Sequence, residues 1–244
     1  SPINKFDYTY WSSPVADQIL YNVSPNTLYD KFYSFNAFTN AWQQESTSNS
    51  MDVGKGYIIR GPQSYTAPNP PQTYEAVFIG RPNNGLVTIA VPSGTDSSLL
   101  IGNPYPSAVD ADLFLAANNT VLGGTIYFWT HNSPPSDAVA GDAVYNYTAN
   151  DYASYNGVGG TATTAAPTGG GRIPTGKIAA GQSFFATGIA GGTAVFNNSM
   201  RVVGGAAGVN NSQFFRTNAS SKVKTTESIE KNRVWLNLTN TQGA

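Results

Sequence analysis

The chain has 244 residues and no cysteine, 11% of its residues are charged, 12% are aromatic, and its net charge is -1. An average domain carries roughly 25% charged residues, so solubility here must depend on neutral polar groups. A net charge near zero leaves no basic field to attract nucleic acid or anionic lipid, and the absence of cysteine excludes disulfides, thiol catalysis and Cys-ligated zinc. We therefore expect no nucleic-acid partner and no membrane insertion.

Short apolar runs between glycine, proline and asparagine residues predict β-strands along the whole chain. These runs are residues 31–35, 56–60, 75–79, 86–91, 125–129, 182–186 and 193–196. Several of them are apolar at both alternating positions, so the side chains on both faces of the predicted strands must be buried. Sheets stacked on each other would bury them.

One short helix is predicted in the second half of the chain. Ser107 is followed three positions later by Asp110, which is typical of a helix N-terminus, and residues 111–117 place Leu113 and Ala117 on one face. Residues 25–31 give a second and weaker helix signal.

The two halves of the sequence contain the same short motifs in the same order, which indicates an internal duplication. The pairs are residues 11–14 with 102–107, 32–35 with 126–129, 40–42 with 153–155, 54–59 with 181–186, and 77–79 with 194–196. Only the spacers between them differ. A polar, turn-rich stretch at residues 92–98 predicts the boundary between the copies.

The sequence thus predicts an all-β protein of two tandem antiparallel β-sandwich modules, jelly-roll-like, from an internal duplication, with one short helix. We expect a first module at residues 1–95, a second with long loops at 96–216, and a polar linker with an orphan strand at 217–244. The long loops are expected at residues 132–142 and 157–171, because both stretches are rich in small and turn-forming residues.

Longer motifs resemble a known family. The runs YTYWSSPV, GKGYIIRGP, LLIGNPYPSAVDADLF, GTIYFWTHNSPPS and NRVWLNLTNTQGA resemble the region upstream of the sorting domain in large type IX-secreted, adhesin-like surface proteins of the Bacteroidetes. The resemblance implies export and a secreted, extracellular or cell-surface location. We accordingly expect a mature protein or a piece of a larger one.

Catalytic groups are scarce in this sequence. His131 is the single histidine, no serine lies in a Gly-x-Ser-x-Gly motif, and histidine-based metal catalysis is excluded by number. The sequence therefore predicts no catalytic residue and no enzyme. We expect no cofactor, and a structural calcium ion near Asp110 and Asp112 or in residues 137–142 stays open as the alternative, because carboxylates and loop carbonyls are its ligands.

Aromatic side chains are the main candidates for binding. Flat rings with a polar tip can stack on sugar faces while neighbouring amides and hydroxyls bind the sugar hydroxyls, although aromatics at matching positions in both copies, such as Tyr33 and Tyr127 or Tyr57 and Phe184, are expected in the core. The ligand-binding candidates beside the long loops are Trp129, His131, Tyr145, Tyr147, Tyr152 and Tyr155.

Residues 233–239 alternate as a strand that has no evident sheet of its own. An unpaired strand can add to the sheet edge of a partner, so the candidates for assembly are Val234, Trp235, Leu236 and Leu238. We expect a secreted non-catalytic module for adhesion or assembly, which contacts other surface proteins or itself by strand addition, and glycans as further partners. A carbohydrate-binding module is the alternative, and an undetected glycoside hydrolase is the third.

Overall fold

The computed structural model describes residues 2–66, 72–94, 97–141, 144–163 and 173–202, and the fold over these ranges is all-β, as predicted. The strands are β1 (Tyr8–Trp11), β2 (Phe32–Asn36), β3 (Ala41–Gln44), β4 (Tyr57–Arg60), β5 (Val87–Val91), β6 (Ser97–Gly102), β7 (Val109–Asp110), β8 (Leu122–Trp129), β9 (Tyr152–Tyr155), β10 (Gly160–Thr161), β11 (Lys177–Ile178), β12 (Ser183–Gly188) and β13 (Gly192–Phe196). All of their pairings are antiparallel.

Helices are short. The helices are α1 (Leu20–Val23) and α2 (Ala111–Ala117), with single 3-10 turns at Ala149–Asp151 and Asn198–Met200. Within the described ranges no helix is long and apolar enough to cross a membrane.

Two large sheets have the same internal order. The first sheet runs β1-β4-β2-β3, and the second runs β6-β12-β8-β9 with β10 added at its end. Each strand of the first sheet thus occupies the place of the strand whose sequence matches it in the second half. The shared order is the arrangement that the predicted duplication requires.

Both faces of each sheet are apolar, because successive side chains of a strand point to opposite faces. In β4, Tyr57 and Ile59 pack into a cluster on the outer face of the first sheet, whereas Ile58 packs between the sheets. In β12, Phe184 lies in the outer core of the second sheet and Phe185 packs between the sheets. Tyr57 and Phe184 are fully buried, as predicted.

The outer core of the second sheet is the larger one. Phe114 of α2 stacks on Phe196 with centroids 4.6 Å apart and contacts Phe184 edge-on. The predicted helix is confirmed, but its N-cap is Asp110, whose carboxylate accepts the backbone N–H groups of Asp112 and Leu113. The prediction that Ser107 is the N-cap was wrong. The buried face is Ala111, Phe114 and Leu115, and Leu113 is exposed.

Two further predictions, both near the outer core of the first sheet, were wrong. The short helix is Leu20–Val23, not residues 25–31, which form turns; Leu20 and Val23 are buried whereas most of residues 25–31 are not. Residues 75–79 form no strand, although Phe78 packs on this core. The backbone N–H of Ile79 bonds the Gln18 side chain, whereas the matching segment β13 has a strand partner.

That partner is β5, which lies before the predicted module boundary. β5 pairs with β13 over five residues, from Val87–Phe196 to Val91–Gly192, and Val91 is buried in the core of the second sheet. The first half of the sequence therefore supplies a strand to the core of the second sheet. The division at residue 95 stays a prediction.

The two sheets are joined by a reciprocal pair of backbone hydrogen bonds. The N–H of Ser12, after β1, donates to the carbonyl of Gly181, and the N–H of Gly102, at the end of β6, donates to the carbonyl of Gly54. Because residues 54–59 match 181–186, each copy makes the equivalent bond to the other. The backbones approach closely: a β-carbon on Gly102 would overlap Cβ and Oγ of Ser12.

We expect Gly102→Ala to lower the free energy of unfolding by about 1–3 kcal/mol, because the added methyl must push the two sheets apart. Gly124→Ala in β8 is the matched control, because a β-carbon there meets no atom within 4 Å. Urea unfolding of both variants checks this. Equal stability of the two variants would contradict a close approach at Gly102.

Candidate functional site

A cluster of aromatic rings fills the space between the two sheets. Tyr10 of β1 stacks on Trp129 of β8 with centroids 5.8 Å apart and planes 14° apart. Tyr152 of β9 contacts both rings edge-on, at 6.2 and 5.1 Å. Trp42 of β3 contacts Phe185 of β12 at 5.9 Å. These contacts hold the sheets together, because each such pair adds about 0.5–1.5 kcal/mol beyond the burial of its area.

The cluster does not close completely, and a cavity of about 500 Å³ remains beside it. This volume lies in the roughly 300–1,000 Å³ range of small-ligand sites. Both sheets and residues 140–141 and 145–149 form its walls. The lining residues are Tyr8, Tyr10, Tyr33, Trp42, Ile58, Trp129, Ala140, Gly141, Tyr145, Asn146, Tyr147, Thr148, Ala149 and Tyr152. All of these are uncharged, and the aromatic rings among them carry hydroxyl or indole polar tips.

The rim of the cavity is exposed and its floor is buried. Trp42 is 44% exposed and Tyr145 is 61% exposed, whereas Trp129 is only 5% exposed. An incoming molecule would therefore meet two open rings first and reach the buried indole last.

The indole N–H of Trp129 is a buried donor with no hydrogen-bond partner in the described part of the chain. An unsatisfied buried donor costs about 1–3 kcal/mol, and native proteins pair nearly all such groups. Trp129 lines the cavity with its ring, whereas its indole nitrogen has almost no accessible surface and faces the packed interior.

Tyrosine hydroxyls tie the cavity walls together. The hydroxyls of Tyr10 and Tyr152 share a hydrogen bond of 2.5 Å across the two sheets, and the hydroxyl of Tyr147 donates to the carbonyl of Phe6. Burial raises the pKa of Tyr152 to about 12, which the hydrogen bond to Tyr10 partly opposes. Burial, together with the nearby charge of Asp7, raises the pKa of Tyr147 to about 12. These phenols stay neutral at physiological pH.

Carboxylates lie behind the cavity wall and bind backbone amides. The carboxylate of Asp151 accepts the N–H of Ser133 at 3.2 Å from each oxygen, and its carbonyl accepts both the N–H and the hydroxyl of Thr130. Asp7 accepts the N–H of Asn4. Burial, aided by the charge of Asp7, raises the pKa of Asp151. Asp151 thereby fixes the turn after β8, and neither acid is among the cavity-lining residues.

The structure brings four of the six predicted ligand-binding residues to one cavity: Trp129, Tyr145, Tyr147 and Tyr152 line it together. Tyr155 alternates to the other face of β9, where it packs in the outer core and donates to the Asp112 carboxylate at 2.8 Å. His131 is buried in the turn after β8, with a φ of 44°, and is not among the cavity-lining residues.

Residues of the first half were missed as site residues. Tyr8 and Tyr10 belong to β1 and supply the opposite wall, and their alternate spacing on one strand face is a signal that the sequence does contain. Tyr33 was expected in the core and lies in the same wall. Tyr127, also expected in the core, is 37% exposed. The candidate assembly residues Val234, Trp235, Leu236 and Leu238 lie outside the described residues.

The acids considered for calcium have other partners. The Asp110 carboxylate caps α2 and forms an ion pair with Lys177, and Asp112 accepts the Tyr155 hydroxyl. In the described ranges no three His, Cys, Asp or Glu residues cluster so that they could hold a metal ion. A structural calcium ion stays a prediction.

Fold and site together define an all-β protein with an uncharged aromatic cavity between two sheets of the same strand order. The chain belongs to the family described as "Domain of unknown function (DUF8693)", whose model matches residues 1–244. No curated protein and no solved structure matches the chain.

The raised phenol pKa values give a test of the aromatic interface at high pH. An unfolded tyrosine releases its proton near pH 10, whereas folded Tyr152 holds it up to about 12, so the free energy of unfolding falls as the pH rises above 10. Between about pH 9 and about pH 11, we expect it to fall by roughly 1 kcal/mol less in Tyr152→Phe than in the wild type. Urea unfolding at both pH values measures this; an equal decline in both proteins would contradict it.

Proposed function

We propose that this chain is a non-catalytic adhesion module that binds uncharged carbohydrate in the aromatic cavity between its sheets. The observation that carries the proposal is a cavity of about 500 Å³ between the sheets, whose uncharged lining combines aromatic rings with hydroxyl and amide groups. Sugars combine apolar faces, which rings can cover, with hydroxyl oxygens that accept hydrogen bonds.

The chemistry of the lining supports this ligand class over others. Its polar groups are phenols, an indole, a threonine hydroxyl and the amide of Asn146, which are neutral donors and acceptors. A phosphate or carboxylate ligand would meet no cation among the lining residues. A purely apolar ligand would make no use of the hydroxyl and amide groups of the lining.

The same lining supports binding without hydrolysis. Glycoside hydrolysis uses two carboxyl groups, roughly 5–10 Å apart, on either side of the scissile bond. The lining contains no Asp or Glu, and the carboxylates of Asp7 and Asp151 accept backbone N–H groups instead. We propose accordingly that the module is not an enzyme.

We further propose a secreted, cell-surface location for the module. Two features of the sequence support it: the low share of charged residues, and the resemblance of long motifs to type IX-secreted surface proteins. In such a protein a carbohydrate site would serve attachment to a glycan-bearing surface.

The proposal is tested on an array of neutral and acidic glycans, followed by calorimetric titration of the neutral glycan that binds best. We expect Trp129→Phe to weaken binding roughly five- to tenfold, because the smaller ring offers the ligand less contact area. Trp11→Phe is the matched control, because Trp11 packs against Phe78 on the outer core of the first sheet, away from the cavity.

The rim is tested in the same titration. Tyr145→Ala should weaken binding about tenfold, which corresponds to ~1.4 kcal/mol, because a ring that covers the ligand is removed. Tyr29→Ala, at an exposed tyrosine that does not line the cavity, should bind as the wild type does. Retention of acidic glycans alone, release of cleaved sugar, or equal binding by all four variants would contradict the proposal.

A further inference from the structure

A second cavity lies beside the first and shares part of its wall. It has a volume of about 490 Å³ and is lined by Phe35, Trp42, Ser98, Tyr127, Ala149, Tyr152, Ser154 and Phe185. Trp42, Ala149 and Tyr152 line both cavities. The two spaces therefore adjoin, and together they follow the joint between the sheets.

The second cavity has the same chemistry as the first. Its lining is uncharged and combines aromatic rings with the hydroxyls of Ser98, Tyr127 and Ser154. Tyr127 is 37% exposed, so its ring is open to solvent at this end of the joint, as that of Tyr145 is at the other. The half-exposed ring of Trp42 lies between the two ends.

We propose that the two cavities form one continuous groove, and that its ligand is a linear, uncharged oligosaccharide that crosses Trp42 and occupies both. The inference depends on the proposed carbohydrate-binding function and adds the form of the ligand. A single sugar or a disaccharide would fill one cavity and leave the other rings uncovered. A longer chain covers Tyr145, Trp42 and Tyr127 in turn.

This arrangement predicts that affinity rises with chain length until both cavities are filled. Each added sugar covers further ring surface and finds a further hydroxyl partner, whereas the loss of rotational and translational freedom on binding occurs once. A branched glycan or one with charged substituents would not gain in this way, because the lining offers no cation to pair them.

The test is calorimetric titration of the full chain with linear oligomers of glucose, mannose, xylose and N-acetylglucosamine, from two to six units long. In the oligomer series that binds, we expect the longest member to bind at least tenfold more tightly than the dimer. Tyr127→Ala should remove most of this gain. Tyr145→Ala should weaken binding at every length.

A second variant guards against a folding defect in Tyr127→Ala. Ser154 lines the second cavity but not the first. Ser154→Tyr should therefore fill the second cavity and also abolish the gain in affinity with chain length. Tyr29→Ala is the control for a tyrosine removed from an exposed surface elsewhere, and urea unfolding confirms that each variant is folded.

The outcomes separate the two proposals. If oligomers bind but affinity does not rise with length, or if Tyr127→Ala and Ser154→Tyr leave the rise unchanged, the groove is a single cavity and this inference is wrong while the proposed function stands. If no linear oligomer binds to the wild type but another neutral glycan of the array does, this inference alone is wrong. If no neutral glycan of any kind binds, the proposed function itself is wrong.

Discussion

The fold depends on aromatic packing between two sheets that face each other. Each sheet must also cover its other face, so its strands carry large apolar side chains at consecutive positions, as in Tyr57-Ile58-Ile59 and Phe184-Phe185. Without disulfides and with few charges, stability must come from burial, and aromatic rings bury the most area per residue. The cavity lies beside these rings, and Tyr10, Trp42, Trp129 and Tyr152 belong both to the packing between the sheets and to the cavity lining.

Much of this could be predicted from the sequence, and the exceptions have physical reasons. Most of the strands and the short helix at 111–117 follow from local residue pattern, and the structure has them. The duplication stays a prediction, with which the shared strand order of the two sheets agrees. The segment at 75–79 has the pattern of a strand but no partner strand, and pairing is a long-range property. The N-cap was predicted at Ser107 and lies at Asp110. Both residue types can cap a helix, and the pairing of β7 with β11 determines where the helix begins.

Only part of the candidate site could be predicted, because the rest depends on contacts between residues far apart in the sequence. The aromatic residues near the loops of the second half pointed to Trp129, Tyr145, Tyr147 and Tyr152, which lie together. The opposite wall comes from β1, β2, β3 and β4 in the first half of the chain, and no local pattern says that these strands face β8. The prediction that Tyr155 belongs to the site was wrong. Successive side chains of a strand alternate between its two faces, and Tyr155 is three positions from Tyr152, so it lies on the opposite face of β9.

The reciprocal bonds at Gly54 and Gly181 relate the two halves as the subunits of a symmetric dimer are related, except that here both are in one chain. In a homodimer every substitution appears twice, so a pocket on the axis must be the same from either side. Within one chain that constraint is absent. The connection between β8 and β9, which carries Tyr145, is longer than the one between β2 and β3, so the two ends of the proposed groove differ. A chain-like ligand in the proposed groove would therefore lie in one direction.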